Sequence, residues 1–159
     1  MRGFRTSRNT AAQKFVSHSV GETLLFASKF ARCLKPGDCV ALEGDLGSGK
    51  TLFVKGIARG LGLKDTDVVK SPTFVLMHAY PTRIPLYHFD LYRLEEEAAF
   101  RAIGLEEFAQ SAHAIACIEW AGKAKSLVPP GAFRIRLDVT GPRRRVISCF
   151  FPKKVTSWA

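Results

Sequence analysis

The chain has 159 residues, 47% hydrophobic and 24% charged, enough for one domain with a buried core and too apolar for a disordered chain. No apolar run approaches the length of a membrane span, which excludes a spanning helix. The net charge of +10 sits mainly at the ends, with four basic residues and no acid from Met1 to Gly21 and nine against Asp138 alone from Trp120 to Ala159. That balance suits an RNA or acidic protein partner, and equally a solvated surface.

Taken in order, Arg2 to Ala12 is polar and basic without an apolar centre, so it does not read as a secretory signal. Residues 1–12 are expected to be a flexible basic extension. Lys14 to Ser17 predicts a short first strand. Ser19-Val20-Gly21-Glu22 has the form of a capping box, and Leu24, Ala27, Ala31 and Leu34 follow on one helical face until Pro36-Gly37 ends it. Asp38 to Glu43 is a short apolar run of the kind that forms a buried strand. A second helix carries Leu52, Phe53, Ile57 and Leu61, with Gly60 and Gly62 as its stop.

After a polar connection, Pro72 biases Ser71 toward extended backbone. Thr73 to Tyr80 and Ile84 to Asp90 read as an antiparallel hairpin around Pro81-Thr82-Arg83. Leu94 to Arg101 predicts a short helix, with Glu95, Glu96 and Glu97 as an N-terminal charge cluster in preference to a metal site. A second short helical piece spans Gly104 to Gln110. Ala114 to Ile118 is continuously apolar, as in a strand covered on both faces, and ends at Glu119-Trp120. Phe133 to Val139 and Val146 to Phe151 form a terminal hairpin whose tip, Thr140 to Arg145, is basic. The four cysteines (Cys33, Cys39, Cys117, Cys149) show no C-x-x-C spacing and read as buried free thiols of a reducing cytoplasm, with neither zinc site nor disulfide framework. With no repeat and no linker, residues 1–159 are expected to form one α/β domain, a mixed sheet with a parallel core and added antiparallel strands.

The chemistry is concentrated in Gly44-Asp45-Leu46-Gly47-Ser48-Gly49-Lys50-Thr51, which has the form G-x-x-x-x-G-K-[ST] between a strand and a helix. That context identifies a phosphate-binding loop. Backbone N–H groups can wrap an anion only where side chains do not intrude, and the following helix adds its N-terminal partial positive charge. Lys50 is expected on the outer phosphates and the Thr51 hydroxyl on Mg²⁺. The nucleotide-binding set is therefore Gly47, Ser48, Gly49, Lys50, Thr51 and Leu52.

Hydrolysis or transfer also needs an acid at the end of a neighbouring strand. Asp90 and Glu119 both qualify. Glu119 ends the more uniformly apolar strand and is the favoured Mg²⁺ carboxylate. Asp90 then orients water or holds the metal from the other side, and the division of roles stays open. Thr73 lies where GTPases keep a γ-phosphate-sensing switch. His88, two before Asp90, shares its face of the strand and reads as a packing or hydrogen-bonding residue before an acid–base one. Trp120 is a core residue placed to report on nucleotide.

The loop, Ser71-Pro72-Thr73-Phe74, His88-Phe89-Asp90-Leu91-Tyr92-Arg93-Leu94 and Ile118-Glu119-Trp120 together resemble the TsaE (YjeE) family of small bacterial P-loop ATPases in tRNA threonylcarbamoyladenosine synthesis. The resemblance covers about Ser17 to Phe151. It implies a P-loop NTPase-like three-layer fold, ATP or ADP with Mg²⁺, and assembly with the TsaB and TsaD proteins, whose turnover ATP hydrolysis supports. It implies that Lys50 and Thr51 bind phosphate and metal, that Glu119 binds metal, that Asp90 acts in hydrolysis and that Thr73 lies in a switch-like loop. It further implies that Trp120 sits near the nucleotide, that Ser19 to Thr23 approach the adenine, and that one of Arg143, Arg144 and Arg145 reaches the nucleotide without identifying which. Ser48 stands where alanine is usual in the family, a change expected to be tolerated. Contact with tRNA is indirect by this resemblance, with the basic ends open to a direct one.

Other classes fit less well. A small-molecule kinase, the main alternative, needs an arginine-bearing lid between core strands, and the clustered arginines here are terminal. A GTPase lacks its N-K-x-D guanine reader, and Asp90-Leu91-Tyr92-Arg93 lacks the D-x-x-G glycine. A nucleic-acid-binding module with a vestigial loop rests on charge alone.

Overall fold

The computed structural model describes residues 9–152, with side chains from Gln13 onward. Ser19, in extended backbone, caps α1 (Val20–Phe30), its Oγ accepting the Glu22 N–H at 3.1 Å. The Glu22 carboxylate in turn accepts the His18 N–H at 2.7 Å, so the expected capping box reaches one residue further back than the standard form. A 3-10 turn, Ala31–Cys33, continues the helix, and Pro36-Gly37 ends the segment, with Gly37 at a φ of 93°.

β2 (Cys39–Glu43) leads through the phosphate loop into α2 (Lys50–Gly60), which packs on α1. A Cβ on Gly56 would lie 2.8 Å from the Leu24 carbonyl oxygen, and one on Gly60 would run into the carbonyl of Ser28. Glycine weakens a helix by about 1 kcal/mol relative to alanine, a loss offset here by the close helix–helix contact it permits. Leu24 meets Gly56 and Ser28 meets Gly60, in the same order, so the helices run parallel and their N-termini share one end of the molecule.

The remaining strands are β1 (Asn9–Ser17), β3 (Met77–Tyr80), β4 (Leu86–Asp90), β5 (Ile115–Glu119), β6 (Phe133–Val139) and β7 (Arg145–Pro152). Among the described residues they form one seven-stranded sheet in the order β1-β7-β6-β2-β5-β4-β3. β6, β2, β5 and β4 run parallel, β7 and β3 run against them, and β1, antiparallel to β7, returns to the core direction. On one face, Phe30, Phe53 and Ile57 of α1 and α2 pack against Val40, Leu42, Ile135 and Ile147. On the other, Ala41, Phe89 and Ile118 meet Phe100 of α3 (Glu97–Ala102), Leu105 of α4 (Leu105–Ala109) and Leu127. All five residues of β5 are buried, as its unbroken apolar run predicts. The result is the three-layer, P-loop NTPase-like fold expected of the sequence.

Four boundaries differ from expectation. β1 begins at Asn9, so 9–12 are strand and not extension. Their sequence lacks apolar alternation, and the order comes from backbone pairing with β7, Asn9 opposite Pro152 and Ala12 opposite Phe150. Residues 1–8 of the expected extension, and the basic Lys153 and Lys154, lie outside the described residues. The run from Thr73 is strand only from Met77. Before it the chain turns, with Leu76 at a φ of 68° and its N–H donating to the Pro72 carbonyl at 2.6 Å. β4 starts at Leu86, after Pro85, which has no N–H to give to a ladder. The acidic helix begins at Glu97 instead of Leu94, because Leu94 closes a turn on Leu91 and Lys123 Nζ donates to the carbonyls of Tyr92 and Leu94. Glu95 and Glu96 therefore precede the helix, while Glu97 pairs with Arg101 at 2.9 Å.

Candidate functional site

The carboxyl ends of β2, β5 and β4 lie side by side, Leu42 opposite Glu119 and Glu119 opposite Asp90. In a parallel sheet this is the end at which ligands sit. From β2 the chain enters the loop with Gly44, Gly47 and Gly49 at φ of 146°, 75° and 106°. These values suit glycine and leave backbone N–H groups open to a ligand. α2 begins at Lys50, directly after the loop.

Lys50 is buried against the sheet ends. Its Nζ donates to the carbonyls of Gly44 at 2.8 Å and Asp45 at 3.0 Å and lies 4.0 Å from the centre of the Trp120 ring. Burial draws its pKa below the ordinary lysine value, opposed by the charges of Glu119, Asp90, Glu43 and Asp45. Trp120 holds a left-handed backbone, φ 58°, and its ring is 5.1 Å from that of Tyr92. Nearby, burial pushes the Glu43 carboxyl up, opposed by the Gly122 N–H that bonds it and by the charges of Lys50, Lys125 and Arg134.

Thr51 and Glu119 meet. The Thr51 hydroxyl donates to Glu119 Oε1 at 2.7 Å, and His88 Nε2 lies 2.8 Å from the same oxygen. Glu119 Oε2 accepts no hydrogen bond among the described residues. The two side chains present hard oxygens, the donors Mg²⁺ prefers, and that ion takes most of its ligands from phosphate and water. Among the described residues no three His, Cys, Asp or Glu side chains cluster as a metal cage, so the donor set fits Mg²⁺ only when a phosphate ligand completes it.

Asp90 is engaged by the loop before β3. Its Oδ2 accepts from the Ser71 hydroxyl and from Thr73 Oγ1 at 3.0 Å, while Oδ1 accepts the Tyr92 N–H at 2.9 Å. The Ser71 Oγ and Thr73 Oγ1 atoms lie 2.7 Å apart, both turned to that carboxylate. Thr73 is thus joined to the second acid, and Phe74 beyond it is exposed with the Arg93 guanidinium over its ring.

Of the three tip arginines, Arg145 is the one that reaches the phosphate loop. Its Nε donates to the Ser48 carbonyl at 3.1 Å and its Nη1 to Gly141 at 3.1 Å, tying the β6–β7 hairpin to the loop backbone. Arg143 and Arg144 are exposed. Ser48 itself is buried, with its Oγ lacking a hydrogen-bond partner among the described residues. Leu52 is half-buried in the first turn of α2 and Gly47 is exposed at the loop.

Ser19 and Thr23 occupy the cap and first turn of α1, at the end shared with α2. Neither makes a described contact with the loop. Thr23 Oγ1 is 2.8 Å from Ser17 Oγ, which donates to the Ser19 carbonyl at 2.8 Å. Sequence reasoning therefore assembled Lys50, Thr51, Glu119, Asp90, Thr73 and Trp120 at one end of the sheet. It missed Ser71 as a partner of Asp90 and Tyr92 as the neighbour of Trp120. Their position two residues from Thr73 and Asp90 was the available signal.

The model of a family described as "Threonylcarbamoyl adenosine biosynthesis protein TsaE" matches residues 17–147. The chain is similar to the tRNA threonylcarbamoyladenosine biosynthesis protein TsaE of Bacillus subtilis, 40% identical over 80% of this chain and 78% of that protein. The protein of the same name from Treponema pallidum is 38% identical over 84% of this chain and 96% of its own. The crystal structure of YdiB from Bacillus subtilis matches with a TM-score of 0.77 at 32% identity, covering 91% of this chain and 88% of YdiB.

Proposed function

The chain belongs to the TsaE family of tRNA threonylcarbamoyladenosine biosynthesis proteins, and from that premise we propose that it is the ATPase subunit of the tRNA-modifying assembly. The observation that carries the reading is the convergence of Lys50, Thr51, Glu119 and Asp90 at one end of the parallel strands.

In this reading the phosphates of ATP lie in the loop from Gly44 to Thr51, against its N–H groups and the N-terminus of α2. Lys50 exchanges the carbonyls of Gly44 and Asp45 for phosphate oxygens. Thr51 and Glu119 would hold Mg²⁺, which neutralises charge on the outer phosphates. Asp90 orients the attacking water once Ser71 and Thr73 release its Oδ2, which makes the 71–76 loop the sensor of the γ-phosphate. Ser19 and Thr23 approach the adenine, and Trp120 flanks the phosphates through its contact with Lys50. Arg145 acts on the loop backbone.

Hydrolysis supports turnover of the TsaB and TsaD partners in a cytoplasmic complex, without this chain transferring the threonylcarbamoyl group. Among the described residues no helix is long and apolar enough to cross a membrane. Contact with tRNA is indirect, through those partners. The kinase alternative is less supported, since Arg145, the tip arginine nearest the site, is already bound to the loop.

Reconstitution tests the proposal. tRNA, TsaB, TsaD, ATP and the threonylcarbamoyl precursors are incubated with and without this chain. Modified tRNA per TsaD is expected to exceed one turnover only with the chain present, and ATP hydrolysis is expected to rise when the partners are added. Equal yields with the Asp90→Asn variant and with the unaltered chain would refute the hydrolytic role.

A further inference from the structure

Glu119 has a neighbour that the nucleotide chemistry leaves unexplained. His88 lies in β4, opposite Cys117 of β5, and is fully buried. Its Nε2 is 2.8 Å from Glu119 Oε1, and its Nδ1 is buried with no hydrogen-bond partner among the described residues. The Tyr80 ring stands 6.2 Å away, and His78, its cross-strand partner, turns its own Nδ1 to the Tyr80 hydroxyl at 3.1 Å. A carboxylate oxygen only accepts, so the ring meets it through Nε2–H, which donates to Glu119 Oε1.

The Thr51 hydroxyl donates to that same oxygen at 2.7 Å. Two donors from different elements, one from β4 and one from α2, thus hold Oε1, and Oε2 accepts nothing among the described residues. A carboxylate fixed through one oxygen has one rotamer, and its other oxygen is presented in a set direction. Hydrogen bonds to the ligand residues of a metal serve this purpose generally, and their loss lowers metal affinity about 10- to 100-fold.

We infer that His88 is a positioning residue for Glu119: through Nε2–H it shares Oε1 with Thr51, so that Oε2 is turned to the divalent cation accompanying the nucleotide. The inference rests on the reading of Glu119 as the metal-side carboxylate. His88 touches neither phosphate nor metal in this arrangement and acts through Glu119 alone.

The test measures ADP binding to the full chain with excess EDTA and across a Mg²⁺ titration, for the unaltered protein, His88→Ala, His88→Gln and Glu119→Gln. For His88→Ala the metal-free affinity should stay within about twofold and the apparent Mg²⁺ affinity should fall about tenfold or more. His88→Gln, whose amide restores one donor near Nε2, should recover most of the loss. A general packing defect would instead weaken both bindings and would not distinguish Gln from Ala. Independently of any variant, long-range ¹H–¹⁵N spectra of the nucleotide-free protein should show a proton on His88 Nε2. An Nε2 without a proton, or an unchanged Mg²⁺ response in His88→Ala while Glu119→Gln loses it, would overturn the positioning role alone. Full Mg²⁺ response in Glu119→Gln would remove the metal reading and this inference with it. Should His88→Ala fail to fold, His88→Gln and the spectra decide.

Discussion

At the scale of single residues the phosphate loop holds an internal stand-in for its ligand. Lys50 Nζ is bound to the carbonyls of Gly44 and Asp45 and sits over the Trp120 ring, so its charge is held beneath the loop by dipoles and a π face. In the proposed function a phosphate would compete for the same ammonium, and moving it would alter the surroundings of the indole. Trp158 is the second tryptophan of the chain, so Trp158→Phe leaves Trp120 as the single emitter. In that background ADP is expected to change Trp120 emission along a saturable curve. Adding Lys50→Ala should shift the curve by about 100-fold or abolish it, since a charged group that meets phosphate contributes roughly 1.5–3 kcal/mol through each hydrogen bond. Near-UV circular dichroism should show the variant folded. An unshifted curve would mean that Lys50 does not meet the nucleotide.

At the scale of elements the site depends on a loop latched to a strand end. Asp90 closes β4, and the turn before β3 bends back so that Ser71 and Thr73 both donate to its Oδ2. Removing the Ser71 hydroxyl leaves Thr73 and the Tyr92 N–H in place, so the turn should open more often without unfolding the sheet. Ser71→Ala is expected to speed amide exchange in residues 73–76 by about tenfold, the equivalent of one hydrogen bond to a carboxylate of about 1.5 kcal/mol. Amides of β5 should keep their protection, and loss of protection there would mean that Ser71 supports the core instead. This latch was not legible in the sequence, whereas its two ends were. Asp90 and Glu119 stood out because each ends an apolar run, and Lys50 and Thr51 because loop, charge and hydroxyl are contiguous. The union of Ser71 with Asp90 depends on where β3 begins, and apolar content from Phe74 onward concealed the turn that Leu76 completes at positive φ. Arg145 was hidden for a similar reason. Among three consecutive arginines, the one that faces the phosphate loop is set by the register of β7 on β1, Arg145 opposite Ser17, which composition does not encode. The strand from Asn9 to Ala12 was hidden because its order comes from its neighbour's backbone.

At the scale of the whole molecule the thiols report whether the two faces of the sheet fold as one. Cys39 belongs to the layer that packs on α3 and α4, while Cys117 and Cys149 belong to the layer under α1 and α2. Burial pushes the Cys39 and Cys149 thiols up to about 12, and Cys117 well above its ordinary value. Cys33, half-buried with its Sγ bonded to the Phe30 carbonyl, is raised to about 11. The native state therefore keeps the Cys39 and Cys149 protons between about pH 9 and pH 12, while the unfolded chain loses them on passing its ordinary value near 9.0. With fewer protons bound by the unfolded state across that window, stability falls as pH rises through it and is unaffected by these groups below it. Urea midpoints at constant ionic strength should accordingly decline above about pH 9. The same burial makes the thiols poor nucleophiles at pH 8, so a disulfide reagent reaches Cys39, Cys117 and Cys149 only through opening. One parallel core shared by both layers predicts that these three react together, at the rate of global unfolding, with Cys33 ahead of them. Labelling of Cys39 well before Cys117 would instead show that the α3–α4 layer detaches alone. Glu119 would then stand on a strand whose far face opens independently of the phosphate loop.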